Sequence, residues 1–188
     1  MSVHMDKLQR SKIYADEVMK NHRVERLYEQ CYRVSDPESW NYGFYISFAP
    51  GHIFIGGDIG AMVIVHYSAA KTEENALRWL GGANADLDYF LSKTTAKQVM
   101  DRAATLEMLK KDYENQSSTE QSYKSQHWFL YEEVMDCGSD HEVQQAIYDS
   151  RLYDDWYGSY DYEEREMFKM ACILNAARMI RSKYHGQD

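Results

Sequence analysis

The chain has little of what usually announces chemistry. Its 188 residues include three cysteines, two prolines and ten glycines. Cys31, Cys137 and Cys172 cannot all pair within one chain, and none sits in a CxxC. That excludes a disulfide framework and points to reduced thiols in a reducing compartment. No apolar stretch reaches the length of a signal-peptide core or a membrane span, so a cytoplasmic protein with no membrane partner is expected. The spacings GxSxG, HExxH, GK[ST] and GxGxxG are all missing, and with them the short signatures of the common nucleophile, zinc and phosphate sites. Linkers, repeats and low-complexity tracts are absent too.

Positive charge is also in deficit. The chain carries 21 Lys and Arg against 30 Asp and Glu, a net charge of −9. The excess is local. Residues 128–166 hold twelve carboxylates against Arg151 and Arg165 alone, whereas residues 1–34 hold seven cations against five carboxylates. Direct nucleic-acid contact needs Lys and Arg to displace counterions, so none is expected. An acidic half favours a basic partner, including a protein that itself handles nucleic acid.

What is present is pattern. Residues 4–21 fit a moderately amphipathic helix. Tyr42, Phe44, Ile46 and Phe48 then alternate with small or polar residues, the period of a strand. Pro50-Gly51 supplies the fixed φ and then the positive φ of a type II turn. His52–Ile55 and Ala61–Tyr67 read as two more strands joined by Gly56-Gly57-Asp58-Ile59-Gly60. After Ser68 helical signals take over. Thr72 caps a helix ending at Gly81-Gly82, Asp86–Leu91 is a short helix, and residues 95–114 form a longer one. Ser118 with Gln121, Ser139 with Glu142, and Asp161 with Glu164 have capping-box spacing. The segment 162–183 is apolar on most sides, as a buried helix is. Strands first and helices afterwards give an α+β fold. An N-terminal antiparallel β-meander of three to four strands, preceded by a helix, is followed by a helical C-terminal half. The expected division is an α+β layer over 1–115 and a helical subdomain over 116–188, packed as one domain.

Each candidate for chemistry is weak on these terms. The glycine loop at 56–60 is followed by a strand, not by the helix N-terminus a phosphate cradle uses, so it reads as a hairpin turn. Pairing residue 55 with 61 places His52 and His66 on one face with Phe54, Met62 and Ile64, and Ile53, Ile55, Ala61, Val63 and Val65 in the core. A one-residue shift in register would separate the two histidines. Asp58 lies too far along the hairpin to complete a metal site. The expectation is therefore no metal, no cofactor and no catalytic residue, with the enzyme question leaning to no.

The most unusual stretch is Tyr148–Glu166, with five tyrosines and a tryptophan among seven carboxylates. Tyr and Trp supply rigid contact area, and dense carboxylates attract a basic groove. The partner-binding residues read from it are Asp149, Asp154, Asp155, Trp156, Tyr157, Tyr160, Asp161 and Glu163.

Residues 40–67 carry an aromatic strand, a Pro-Gly turn, an apolar strand, a Gly-Asp-x-Gly turn and another strand. They comprise Phe44, Ile46, Pro50, Gly51, Ile53, Ile55, Gly57, Asp58 and Gly60. This pattern resembles an uncharacterised family of small proteins encoded by bacteriophages and prophages. Asp88-Tyr89-Phe90-Leu91-Ser92-Lys93 is similar to a second element of that family. Where the family commonly has aromatic residues after the second turn, this chain has Ala61-Met62-Val63-Ile64. The resemblance covers residues 26–95, and it implies a phage accessory role without assigning an activity or a residue. Together these readings describe a phage-encoded, non-enzymatic binding protein of the host cytoplasm. The expected role is that of an accessory or anti-defence inhibitor engaging a basic nucleic-acid-handling host protein through the acidic, Tyr-rich surface. Two other readings stand beside it: a small metal-dependent nuclease or nucleotide hydrolase, and an assembly protein of the virion or the replication complex.

Overall fold

Apolar residues at every second position build the first half of the chain into a sheet. The computed structural model describes residues 3–82, 86–115, 121–153 and 158–186. Helix α1 (Val3–Met19) leads into strands β1 (Arg23–Tyr28), β2 (Cys31–Asp36), β3 (Ser39–Ala49), β4 (His52–Gly57) and β5 (Met62–Val65). Helices α2 (Glu73–Leu80) and α3 (Leu87–Leu91) follow, then β6 (Gln98–Met100), α4 (Arg102–Asn115), α5 (Gln121–Asp136), α6 (Asp140–Ser150), β7 (Tyr160–Tyr162) and α7 (Glu164–Tyr184). The fold is α+β as expected, with the helix first, the antiparallel sheet next and a helical C-terminal half.

The first five strands pair in sequence order. Two-residue links join β1 to β2, β2 to β3 and β3 to β4, and links that short hold neighbouring strands antiparallel. At Pro50-Gly51 the glycine takes φ 81°, the conformation the turn requires. The meander has five strands where the sequence pattern leads to three or four. Arg23–Tyr28 and Cys31–Asp36 make a hairpin of their own, with Val24 opposite Val34.

The turn between β4 and β5 corrects the register read from the sequence. Ile55 faces Met62 and His52 faces Val65, one residue away from the expected pairing. Gly56 and Gly57 continue β4, paired with Tyr45 and Phe44, and Ile59 tucks into the core at 4% exposure. Both features lengthen the connection. Met62 and Ile64 are therefore buried, while Val65 is 45% exposed.

The chain divides into two compact units, Met1–Lys97 with Tyr162–Asp188, and Gln98–Asp161. In the first, α7 has ten buried residues, and all of them but Lys169, among them Met167, Met170, Ile173 and Ile180, belong to the core shared with the sheet. Burial on most of its sides explains why its sequence lacks a single apolar stripe. Thr72 caps α2, its Oγ1 accepting from the Asn75 N–H at 3.2 Å, and Gly81 ends the helix.

The second unit has its own core of Met100, Leu109, Leu130, Val134, Val143, Ala146 and Ile147. Here the sequence pattern needs two corrections. Residues 95–114 are not one helix, because the Asp101 carboxylate accepts from the Ala104 N–H at 3.0 Å and starts α4 there. The preceding Gln98–Met100 pairs instead with Tyr160–Tyr162. Asp161 consequently lies in a strand and does not cap α7, whose N-cap residue is Glu163. Ser139 and Glu142 do form the expected reciprocal capping box on α6. The polar break expected near 115–119 falls largely outside the described residues, as does Ser118. The two units meet along the chain at 97/98 and 161/162.

Candidate functional site

The charge of the molecule follows this division. Residues 98–161 contain fourteen Asp and Glu against five Lys and Arg, a net charge of −9. The other unit holds sixteen of each and is neutral. All of the excess negative charge thus belongs to the second unit. Within it, three of the five cations are engaged close to home. The Arg102 guanidinium donates to the Val134 and Met135 carbonyls at 3.1 and 2.7 Å, where the end of α5 favours a cation. Lys110 pairs with Glu114 and Lys111 with Glu107, both one turn apart on α4.

The acidic surface takes its shape from helix periodicity. On α5, His127, Leu130 and Val134 turn inward. Phe129, Glu132, Glu133 and Asp136 lie at i, i+3, i+4 and i+7 on an exposed face, with Phe129 66% exposed. Met135 is also exposed, and the Trp128 ring packs beside Tyr113 and Tyr131 with centroids 5.1 and 5.5 Å apart. On α6, Tyr148 is 57% exposed and Asp149 stands beside it, accepting from Gln145 Nε2 at 3.0 Å. Exposed apolar side chains with carboxylates beside them are what a basic protein surface can cover.

The residues read from Tyr148–Glu166 fare differently. Asp149 is exposed, and Tyr160 is half-buried with its hydroxyl accepting from Gln144 Nε2 at 3.3 Å. Asp161 is 4% exposed and offers no surface, because it lies at a buried position of β7, the strand paired with β6. Glu163 is exposed but belongs to the neutral unit. Asp154, Asp155, Trp156 and Tyr157 lie outside the described residues. The α5 face that begins at Phe129 is not announced by the sequence, because its carboxylates are spread along helix spacing instead of packed in a run.

A second constellation sits in the neutral unit. Glu73, at the first turn of α2, is 9% exposed. Its Oε1 accepts from Tyr32 Oη, from Arg26 Nη2 at 3.3 Å and from His185 Nε2 at 3.1 Å. A buried carboxylate is tolerated when donors satisfy it, and hydrogen bonds to a charged group contribute about 1.5–3 kcal/mol each. Burial, and then the Glu73 carboxylate, push the Tyr32 phenol well above its ordinary value. These four side chains come from β1, β2, α2 and the end of α7, so only the folded chain brings them together. No spacing in the sequence announces the cluster.

The remaining candidates stand apart. His52 stacks on Phe54, with ring centroids 5.9 Å apart. His66 lies edge-on to Trp79 at 4.8 Å, and its Nδ1 accepts from the Ala69 N–H. The shifted register separates them. Among the described residues no group of three His, Cys, Asp or Glu is placed to hold a metal ion. Cys172 is buried, and burial followed by Asp16 pushes its thiol up to about 12. The Cys137 thiol is raised by burial and then by Glu142. No described helix is long and apolar enough to cross a membrane. No protein-family model, no curated protein and no solved structure matches this chain.

Proposed function

We propose that this chain is a non-enzymatic binding protein whose acidic helical unit engages a basic site on a partner protein. The observation that carries the reading is the segregation of charge: −9 in residues 98–161 and none in the rest. Folding does not require such a division, since a solvated surface is as soluble with both signs interspersed. Exposed Phe129, Met135 and Tyr148 among the carboxylates add apolar contact to the electrostatic attraction. A basic site that normally receives nucleic acid is the partner surface this combination suits, because its cations already match closely spaced negative charge. The resemblance of residues 26–95 to a phage-encoded family supports an accessory or anti-defence role in a host cell, with a nucleic-acid-handling host protein as the target.

The test is affinity capture from bacterial lysate followed by mass spectrometry, using wild type and two variants. One variant combines Phe129→Ala, Glu132→Gln, Glu133→Gln and Asp136→Asn. The other neutralises Asp149, Asp154 and Asp155. The expected result is a basic protein captured by wild type, released by raised salt and lost in at least one variant that keeps its helical circular dichroism. Equal capture by both folded variants would remove the acidic unit from the interface.

A further inference from the structure

Helices α1, α3 and α7, all in the neutral unit, line a recess of about 150 Å³. Helix spacing brings its polar groups together. Lys12 and Asp16 are one turn apart on α1, and Asn175 and Arg178 are one turn apart on α7. The buried Leu87 and Leu174 supply the apolar part of the lining. Asn175 joins the two long helices. Its Nδ2 donates to Asp16 Oδ1 at 2.8 Å, and its Oδ1 accepts from Arg178 Nη1 at 2.9 Å. A carboxylate and a guanidinium thus stand at the two ends of one neutral amide. Both keep hydrogen-bonding capacity, since a guanidinium has five N–H donors and a carboxylate two oxygens. The Arg178 side chain makes no other hydrogen bond or ion pair with the described residues, and the Lys12 side chain makes none. The lining therefore offers two cations and one carboxylate beside an apolar wall.

We propose that this recess binds a free α-amino acid with a short aliphatic side chain. The ammonium of the ligand donates to Asp16, its carboxylate accepts from Arg178 and Lys12, and its side chain lies on Leu87 and Leu174. The Asn175 amide already bridges Asp16 and Arg178 with one donor and one acceptor. An amino-acid head group carries the same pair on one carbon, with full charges, and charge-assisted hydrogen bonds are the stronger kind. A simple anion would meet the Asp16 carboxylate, and a simple cation would meet Lys12 and Arg178. A zwitterion meets opposite charge at both of its ends. The site is independent of the acidic unit and of any partner that unit binds.

L-Valine is the probe. It is titrated into the full chain by calorimetry, while nitrogen–proton spectra follow the Asn175 side-chain amide. Saturable binding that moves the Asn175 signals is expected. 3-Methylbutanoate lacks the ammonium and isobutylamine lacks the carboxylate, so each is expected to bind about tenfold more weakly. Arg178→Gln and Asp16→Asn are expected to lower the affinity for valine about tenfold, and Lys12→Gln about threefold. Lys20→Gln is the control, because Lys20 is also on α1 but pairs with Glu17 outside the recess. Lys12, Asp16 and Arg178 are exposed, so the variants are expected to keep their helical circular dichroism. Should one lose it, the two valine analogues carry the test on the unaltered chain. No saturable binding, unmoved Asn175 signals, or undiminished affinity in folded Arg178→Gln or Asp16→Asn would overturn the proposal. Equal binding of either analogue would overturn its amino-acid class.

Discussion

The register of β4 against β5 decides which residues form the core, and alanine substitutions at Met62, Val63, Ile64 and Val65 read it out. Ile64 is fully buried and Met62 is 4% exposed, while Val65 is 45% exposed and Val63 half-buried. Ile64→Ala removes three carbons, at about 0.8 kcal/mol each for transfer. The cavity left beside Ile53, its cross-strand partner, adds to this and brings the loss to about 3–4 kcal/mol. Met62→Ala belongs to the same class. Val65→Ala removes two carbons from a half-exposed position and lowers strand propensity, for a loss of about 1 kcal/mol. Urea unfolding followed by circular dichroism measures the difference. With a slope of about 2–3 kcal/mol per molar urea, Ile64→Ala moves the midpoint by about 1–2 M and Val65→Ala by less than about 0.5 M. Should the valine variants cost more than Ile64→Ala and Met62→Ala, Ile55 would face residue 61, and the reasoning about the longer turn would fail.

Two further predictions use adjacent contrasts. Gly57 has φ 138°, and an added Cβ would lie 2.5 Å from the Gly43 carbonyl oxygen, whereas a Cβ on Gly56 meets nothing within 4 Å. Gly57→Ala is expected to destabilise by at least about 2 kcal/mol and Gly56→Ala by less than about 0.5 kcal/mol, both read from thermal unfolding. Among the thiols, Cys172 is expected to stay silent to a thiol reagent at pH 8 until denaturant is added, because only the thiolate attacks. Its raised folded value has a sign: the associated stability is complete below the ordinary value of 9.0 and is lost as pH rises through about 12. Cys172→Ala should flatten that part of the stability profile, and an unchanged slope would remove Cys172 as its source.

Local signals were the legible ones. Thr72 and Ser139 cap their helices because the side-chain oxygen and the backbone it serves are three residues apart, a distance a sequence shows directly. The Pro50-Gly51 turn and the aromatic strand before it are of the same kind. Turn length was not legible, because Ile59 could count as a turn residue or as a core residue, and only the core decides. Strands of three residues such as β6 and β7 carry too few alternations to be seen, and their pairing spans some sixty residues of chain. The acidic stretch stood out by composition, but composition does not separate the buried Asp161 from the exposed Asp149. Glu73 looked like an ordinary first-turn acid of a capped helix. Its burial against Tyr32, Arg26 and His185 depends on residues up to 112 positions away.

The apolar face of the sheet is complete by Val65, yet the helix with ten buried residues that helps to cover it, α7, begins only at Glu164. A ribosome adding about 5–20 residues per second delivers that helix on the order of ten seconds after the last strand has emerged. During that interval Ile46, Ile53 and Ile64 have no α7 to pack against, while the helical unit encoded in between has all of its own core in hand. The order of folding during synthesis is therefore the reverse of the order in sequence: the acidic insert closes first, and the sheet that precedes it waits for the C-terminus. A nascent chain stalled before residue 164 is the species most exposed to aggregation and to chaperones.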